Sequence, residues 1–327
     1  MLKHTLTSRT QALIHHVAVK QCQATIPTAT TNTFIGNSLD LGWGRVYGGQ
    51  TMAQALSAVQ QLVPDKAVHE FGCHFLLAGD VKQSVKFEAD IMMSGRSFSV
   101  VHVRAKQEGV GVILSMSASL QTPEQGLEHQ FAHRGAGLRK EWLSPDQCKS
   151  THEYMQVSER SGNRAQNDEL TFFLCKPYLR NIPETMRPLY EFEQPLEVRP
   201  TEFIKPWDPV KLQPTRCFWI KARQQLLPTN NQNLQNLLLT YISDWGLLET
   251  SVFPHPTGMW SKQMQMASLN HSIKFHRPFD LSKEWLCHAM HSPVSGGGRG
   301  YAVGEFWNER GELVASSSQE GLIRERK

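Results

Sequence analysis

The sequence predicts an α+β fold made of two tandem copies of one unit, a helix held against an antiparallel sheet. Three observations carry this. Two segments place apolar residues at helical spacing, each is followed by a series of short alternating runs, and about seventy residues without pattern separate the two series. With 327 residues, 40% of them hydrophobic, the chain is long enough for two medium-sized units with a substantial core.

In the first copy, Arg45-Val46-Tyr47-Gly48-Gly49-Gln50 opens a helix through Met52, Leu56, Val59 and Leu62, which Pro64 stops. Strands are predicted over 69–77, 85–93, 98–107 and 110–121, the last two joined at the turn Glu108-Gly109. From 125 to 194 the pattern dissolves into polar and mixed-charge sequence, locally ordered only at 170–179. That length is too great for a bare linker, so part of it packs on its neighbours.

The second copy starts with a strand over 215–223. A helix follows from Asn233, with Leu234, Leu237, Leu238, Tyr241, Ile242, Leu248 and Val252 along one stripe. Strands are then predicted over 267–275, 285–290, 300–307 and 312–324. Phe75 to Asp80 stands opposite Phe275 to Asp280, and Glu108-Gly109 opposite Arg310-Gly311. The order of elements therefore describes a fused pseudo-dimer, with an N-terminal unit at 1–124, a connector at 125–194 and a C-terminal unit at 195–327.

Two polar residues stand out in the second copy. Asp244 lies close to the apolar stripe of its helix, where stripping water from a carboxylate is expensive unless it is paired, neutralised or used. Over 267–275, Ala267, Leu269, Ile273 and Phe275 share one parity, and Ser268, Asn270 and Ser272 the other. Gln319 shares parity with Leu313, Ala315 and Ile323, the predicted inward side of the last strand.

Composition excludes several classes. The net charge of +4 is dispersed, so the concentrated patch that nucleic acid requires is missing. Six cysteines without a C-x-x-C pair read as free thiols of a reducing compartment. No apolar run approaches the roughly 18 residues that cross a bilayer, and the first 23 residues lack a secretory core. They carry Lys3, Arg9 and Lys20 and no acid, a feature shared with transit peptides that an ordinary amphipathic helix explains better. The ending Glu325-Arg326-Lys327 is not a peroxisomal tripeptide. A cytoplasmic protein is expected. The histidines make no metal-ligand spacing, and no metal or cofactor is called for. Gly296-Gly297-Gly298-Arg299-Gly300 lacks the Lys-Ser/Thr and helix of a phosphate loop and reads as a hairpin turn.

Taken together, several blocks resemble the acyl-CoA thioesterase II (TesB-like) family. They are Arg45 to Gln50 with Gln54-Ala55-Leu56, Pro195 to Pro200 with Glu202-Phe203, Ser243-Asp244, Asn270-His271-Ser272 with Phe275 to Phe279, and Gly304-Glu305-Phe306 with Gln319-Glu320-Gly321. They occur in order over nearly the whole chain. The resemblance implies a double hotdog, each sheet wrapped on a central helix, and hydrolysis of fatty acyl-CoA by an activated water with no covalent acyl-enzyme. It implies a water-holding trio of Asp, Thr and Gln, whose positions here are Asp244, Ser268 and Gln319. Ser268 keeps the hydroxyl of the family's Thr and loses its methyl, so the hydrogen bond survives with a freer rotamer. Gly48, Gly49 and Gln50, at a helix start where N–H groups lack partners, are candidates to bind the substrate and polarise its carbonyl. Hotdog sheets with long edges imply a homo-oligomer, dimer or tetramer. Two alternatives remain: an enoyl-CoA hydratase, whose Asp-x-Asn-Pro-x-His stretch is missing, and a non-catalytic acyl-CoA-binding scaffold.

Overall fold

A computed structural model describes residues 6–22, 31–131, 143–156, 181–205, 210–224, 231–258, 261 and 263–326. The ordered stretch expected at 170–179 and Cys175 lie outside the described residues. The N-terminal half contains β1 (Lys20–Gln21), β2 (Asn32–Gly36), β3 (Ala67–Phe75), β4 (Val85–Ser94), β5 (Phe98–Gln107) and β6 (Gly111–Gln121). The C-terminal half contains β7 (Leu196–Pro200), β8 (Thr215–Ala222), β9 (Met264–Phe275), β10 (Leu286–Gly296), β11 (Arg299–Asn308) and β12 (Leu313–Glu325). All twelve join in one sheet, in the order β1-β2-β4-β5-β6-β3-β9-β12-β11-β10-β8-β7. The halves meet where β3 and β9 pair antiparallel, with Gly72 opposite Ser272 and Cys73 opposite His271.

A first central helix (Gly48–Leu62) and a second (Gln232–Ser243) pack on each other and carry the core on their sheet-facing sides. From Gly49 to Gln60 every residue of the first helix is buried, Gln50, Gln54 and Gln60 included. One apolar cluster runs through both halves, from Phe34, Leu56 and Leu114 to Leu238, Ile273 and Phe306. An N-terminal helix (Leu6–Val17) lies across both central helices.

The described parts of the segment between the two halves pack on their neighbours. Leu143 accepts a hydrogen bond from Trp219 Nε1 at 2.8 Å, and Cys148 joins Cys217, Trp219, Trp285, Cys287 and Trp307 on the outer side of the C-terminal half. Met155, Ile182, Met186 and Tyr190 form a small core of their own.

The structure differs from the sequence reading in four places. Strands β1, β2 and β7 are too short, at two, five and five residues, to announce themselves by alternation. Strand β10 runs six residues past 290 to a turn where Gly297 and Gly298 have φ of 58° and 75°, a conformation that glycine adopts without strain. The helical stripe expected to reach Val252 breaks at Gly246, whose φ is 76°, and resumes as a 3₁₀ turn over Leu248–Ser251. Finally, β9 does not alternate evenly. Glu320 pairs with Asn270 but Gly321 pairs with Ser268, so Leu269 is an extra residue, a β-bulge. The bulge moves Ser268 from the outward parity to the side shared by His271 and Ile273.

Candidate active site

The second central helix starts with an Asn231 side chain that accepts from Leu234 N at 3.1 Å, and it ends at Asp244, the C-cap residue. A carboxylate is unfavourable at the C-terminal end of its own helix, where carbonyls carry the negative end of the dipole. The compensation comes from the other half of the chain. Gly49 N, in the first turn of the first central helix, donates to Asp244 Oδ2 at 3.0 Å, so the positive end of one helix faces the acid on the end of the other.

Only glycine permits this approach. A Cβ on Gly48 would lie 2.7 Å from Asp244 Oδ2, and one on Gly49 would lie 2.2 Å from the Tyr241 carbonyl oxygen. Gly48 and Gly49, expected to meet the substrate, therefore meet the protein's own carboxylate, and the Gly49 N–H is taken by Asp244. Gln50, the third residue expected there, turns away: its Nε2 donates to Asn37 O at 2.7 Å and its Oε1 accepts from Leu39 N at 3.3 Å. It holds the segment leading into the helix.

Strand β12 supplies the third side. Gln319 is fully buried, and its Nε2 donates to Asp244 Oδ1 at 2.6 Å and to Ser268 Oγ at 2.9 Å. The bulge at Leu269 makes this possible, because it puts Ser268 on the same side as Gln319. Since Ser268 Oγ accepts, its own proton can turn to the Asp244 carboxylate, which the hydroxyl also bonds. Asp244, Ser268 and Gln319, separated by up to 75 residues in sequence, form one hydrogen-bonded cluster.

Burial raises the Asp244 carboxyl above the ordinary range. The Gln319 amide, the Gly49 N–H, the Arg45 charge and the Ser268 hydroxyl pull in the other direction without cancelling the effect. Arg45 is anchored by Nη2 donating to Met266 O at 3.2 Å. Sequence reasoning quoted Arg45 without a role, although an arginine three residues ahead of the glycine pair is the only available sign of a cation at this helix start. It also passed over Tyr47, whose hydroxyl donates to Tyr241 O at 2.9 Å and ties the two central helices together. His271 sits beside Gln319 in register, fully enclosed, with Nε2 3.0 Å from Ser243 Oγ. Burial lowers its pKa to about 3, so it is neutral. His69, in the first-half counterpart of β9, is bonded to Ser119 Oγ at 2.8 Å.

Two helix-on-sheet units fused through one continuous sheet, with a half-buried acid and hydroxyl joined by a buried amide where the two helices meet, define a double-hotdog protein. Comparisons then give the family. The description "Acyl-CoA thioesterase N-terminal domain" matches residues 39–121 and "Acyl-CoA thioesterase C-terminal domain" matches 175–323. The chain is 34% identical to "Acyl-CoA thioesterase 2" of Haemophilus influenzae, over 89% of this chain and 92% of that one. It is 29% identical to human "Acyl-coenzyme A thioesterase 8", over 86% of this chain and 81% of the other. Among solved structures, an acyl-CoA thioesterase II from Mycobacterium marinum aligns with a TM-score of 0.64 at 24% identity, covering 97% and 98% of the two chains, which supports the fold. The chain belongs to the acyl-CoA thioesterase family.

Proposed function

We propose that this protein hydrolyses fatty acyl-CoA to free fatty acid and CoA by direct attack of water, with Asp244 as general base and Ser268 and Gln319 holding the water. The observation that carries the reading is the Gln319 amide bridging Asp244 Oδ1 and Ser268 Oγ. A thioester is already activated, so the task left to the protein is to place and deprotonate water and to stabilise the developing oxyanion. Water adds to the carbonyl carbon while its proton passes to Asp244. The tetrahedral intermediate then collapses, the C–S bond breaks, and the CoA thiolate recovers the proton from Asp244. A raised carboxyl pKa suits both halves of this exchange, because it makes the carboxylate a stronger base and brings it nearer the working pH.

In this reading Gly48 and Gly49 act through Asp244, and the helix start they form favours negative charge on the reacting oxygen. The boundaries 1–124, 125–194 and 195–327 separate a half that supplies this helix start, a covering connector and a half that supplies the three polar groups. A homo-oligomer is part of the proposal, supported by the exposed apolar residues Ile91, Met92 and Met93 near the end of β4 and Val294 in β10. So is a cytoplasmic setting, supported by the five described cysteines, all free. Among the described residues no helix is long and apolar enough to cross a membrane.

The test is release of free thiol from palmitoyl-CoA, followed with a thiol reagent. Steady release that disappears in Asp244→Ala supports the hydrolase. Tight binding of palmitoyl-CoA without release would replace it with a scaffold role, and an absorbance change on crotonyl-CoA without thiol would replace it with hydration.

A further inference from the structure

Between the end of the second central helix and the sheet, four polar residues are enclosed: Thr240, Ser243, His271 and Gln319, each at 1% exposure or less. Their hydrogen bonds fix one imidazole tautomer. Ser243 Oγ donates to Thr240 O at 2.8 Å, which spends its single proton. The 3.0 Å contact between Ser243 Oγ and His271 Nε2 therefore runs the other way, with Nε2–H donating. Nδ1 is left as a bare acceptor, buried and without a partner among the described residues.

Gln319 is in the same condition. Both N–H groups of its amide are committed, at 2.6 Å to Asp244 Oδ1 and at 2.9 Å to Ser268 Oγ. Its Oε1 is a second buried acceptor without a partner among the described residues. Gln319 and His271 stand directly opposite each other in β12 and β9, so their side chains leave the sheet on the same side. Two acceptors repel, whereas one water, with two protons, satisfies both.

We propose that a buried water donates to His271 Nδ1 and Gln319 Oε1, and that His271 is thereby a positioning residue for the Gln319 amide. The inference rests on the hydrolase reading above and adds what holds the amide between base and hydroxyl. Such a hold is needed because Asp244 alternates between carboxylate and acid in each turnover. A carboxylate accepts only, but the acid also donates and no longer dictates which end of the amide faces it. His271 is neutral, so replacing it removes no charge from the site. Of the other titratable groups around Asp244, Arg45 carries the charge, while burial pushes Tyr47, Tyr241 and Cys73 up and keeps them neutral.

The experiment compares thiol release from palmitoyl-CoA by the wild type, His271→Asn and His271→Gln across pH. An asparagine amide reaches about as far as Nδ1, and a glutamine amide about as far as Nε2. His271→Gln keeps the bond to Ser243 and loses the water, so kcat is expected to fall about tenfold with KM within twofold of wild type, the effect of one lost hydrogen bond. Its acid limb in kcat/KM is expected to move to higher pH, because the Gln319 bond is what most lowers the Asp244 carboxyl. His271→Asn gives up Ser243 and keeps an acceptor for the water, so kcat within about threefold of wild type and an unmoved limb are expected. Equal losses in both variants with the limb in place, or a glutamine variant as fast as wild type, would reduce His271 to a packing residue. Should neither variant fold, a high-resolution crystal structure of the wild type decides: a water about 3 Å from both atoms supports the assignment, and none there overturns it. Absence of thiol release from wild type itself would instead remove the hydrolase reading, and this one with it.

Discussion

In the C-terminal half, β9 and β12 slip register at Leu269, and in the N-terminal half β3 and β6 slip at the matching place, His69. The two registers can be laid over each other. Phe75 pairs with Leu114 and Phe275 with Ala315, and four residues further along β6 and β12 stand Ala118 and Gln319. Beyond the bulges, Val68 pairs with Leu120 and Ser268 with Gly321. The C-cap residues of the two central helices are Val63 and Asp244. The positions that hold Asp244, Ser268 and Gln319 in one half thus hold Val63, Val68 and Ala118 in the other, at 6%, 4% and 1% exposure. The helix starts differ as well. The first begins Gly48-Gly49, and the second begins Gln232-Asn233, with side chains where a carboxylate would have to enter. Duplication made two scaffolds, each with a bulge and a helix end aimed at its neighbour, but chemistry needs three polar side chains and a glycine pair at once. Where those are missing, the same geometry packs as core.

The sharpest way to break this contrast is to make the active half resemble the silent one. Asp244→Ala removes the base, and kcat is expected to fall by about 10² to 10⁴, measured as thiol release under saturating substrate. A loss under tenfold would leave the water without its base and the comparison without its main term. The converse graft, Val63→Asp with Val68→Ser and Ala118→Gln, is expected to lower unfolding free energy by several kcal/mol in urea titration, because the new carboxylate meets Gln232-Asn233 in place of a glycine pair and lacks the N–H that Gly49 gives Asp244. No second activity is expected from it. A gain in activity without loss of stability would show that the glycines are dispensable.

Acidity gives a third, smaller effect. The Asp244 carboxyl is raised by burial, so the acid limb of kcat/KM should turn above the ~3.9 of a free aspartate, with the rate rising as pH rises through it. The same shift fixes the sign for stability. The unfolded chain ionises first, so ionisation of Asp244 subtracts stability as pH climbs from ~3.9 through the folded value. Asp244→Asn is therefore expected to melt at or above the wild-type temperature at neutral pH and to lose that advantage in acid. A variant less stable at neutral pH would mean that the Gly49 and Gln319 bonds outweigh the desolvation.

Much of this organisation was legible. Helical and alternating periodicities marked both central helices and the long strands, since burial on one face leaves a period in the chain. The motif resemblance singled out Asp244, Ser268 and Gln319, which the fold brings into contact. The bulge was not legible: even parity at Ser268 pointed outward, and an inserted residue leaves no trace unless the partner strand is known. Nor was the task of Gly48-Gly49, because a close approach between residues 195 apart, Gly49 and Asp244, is a property of two packed helices and not of either sequence. Short edge strands such as β1 and β7 carry too few residues to establish a period.

The smallest expected effect concerns the hydroxyl that the bulge delivers. Ser268 Oγ accepts from Gln319 and its hydroxyl also bonds the Asp244 carboxylate, so Ser268→Ala removes one of the groups that position the base and leaves the carboxylate itself in place. A loss of about tenfold in kcat is expected, in line with one neutral hydrogen bond of about 1 to 1.5 kcal/mol. Ser268→Thr retains the hydroxyl and adds a methyl that restricts χ1, so its rate should equal or exceed that of the wild type. The pair of measurements separates orientation from mere polarity. If alanine and serine enzymes turn over alike, Ser268 only fills space beneath Gln319; if threonine is slower than serine, the methyl collides with the helix end and the freer rotamer of serine is what the site requires.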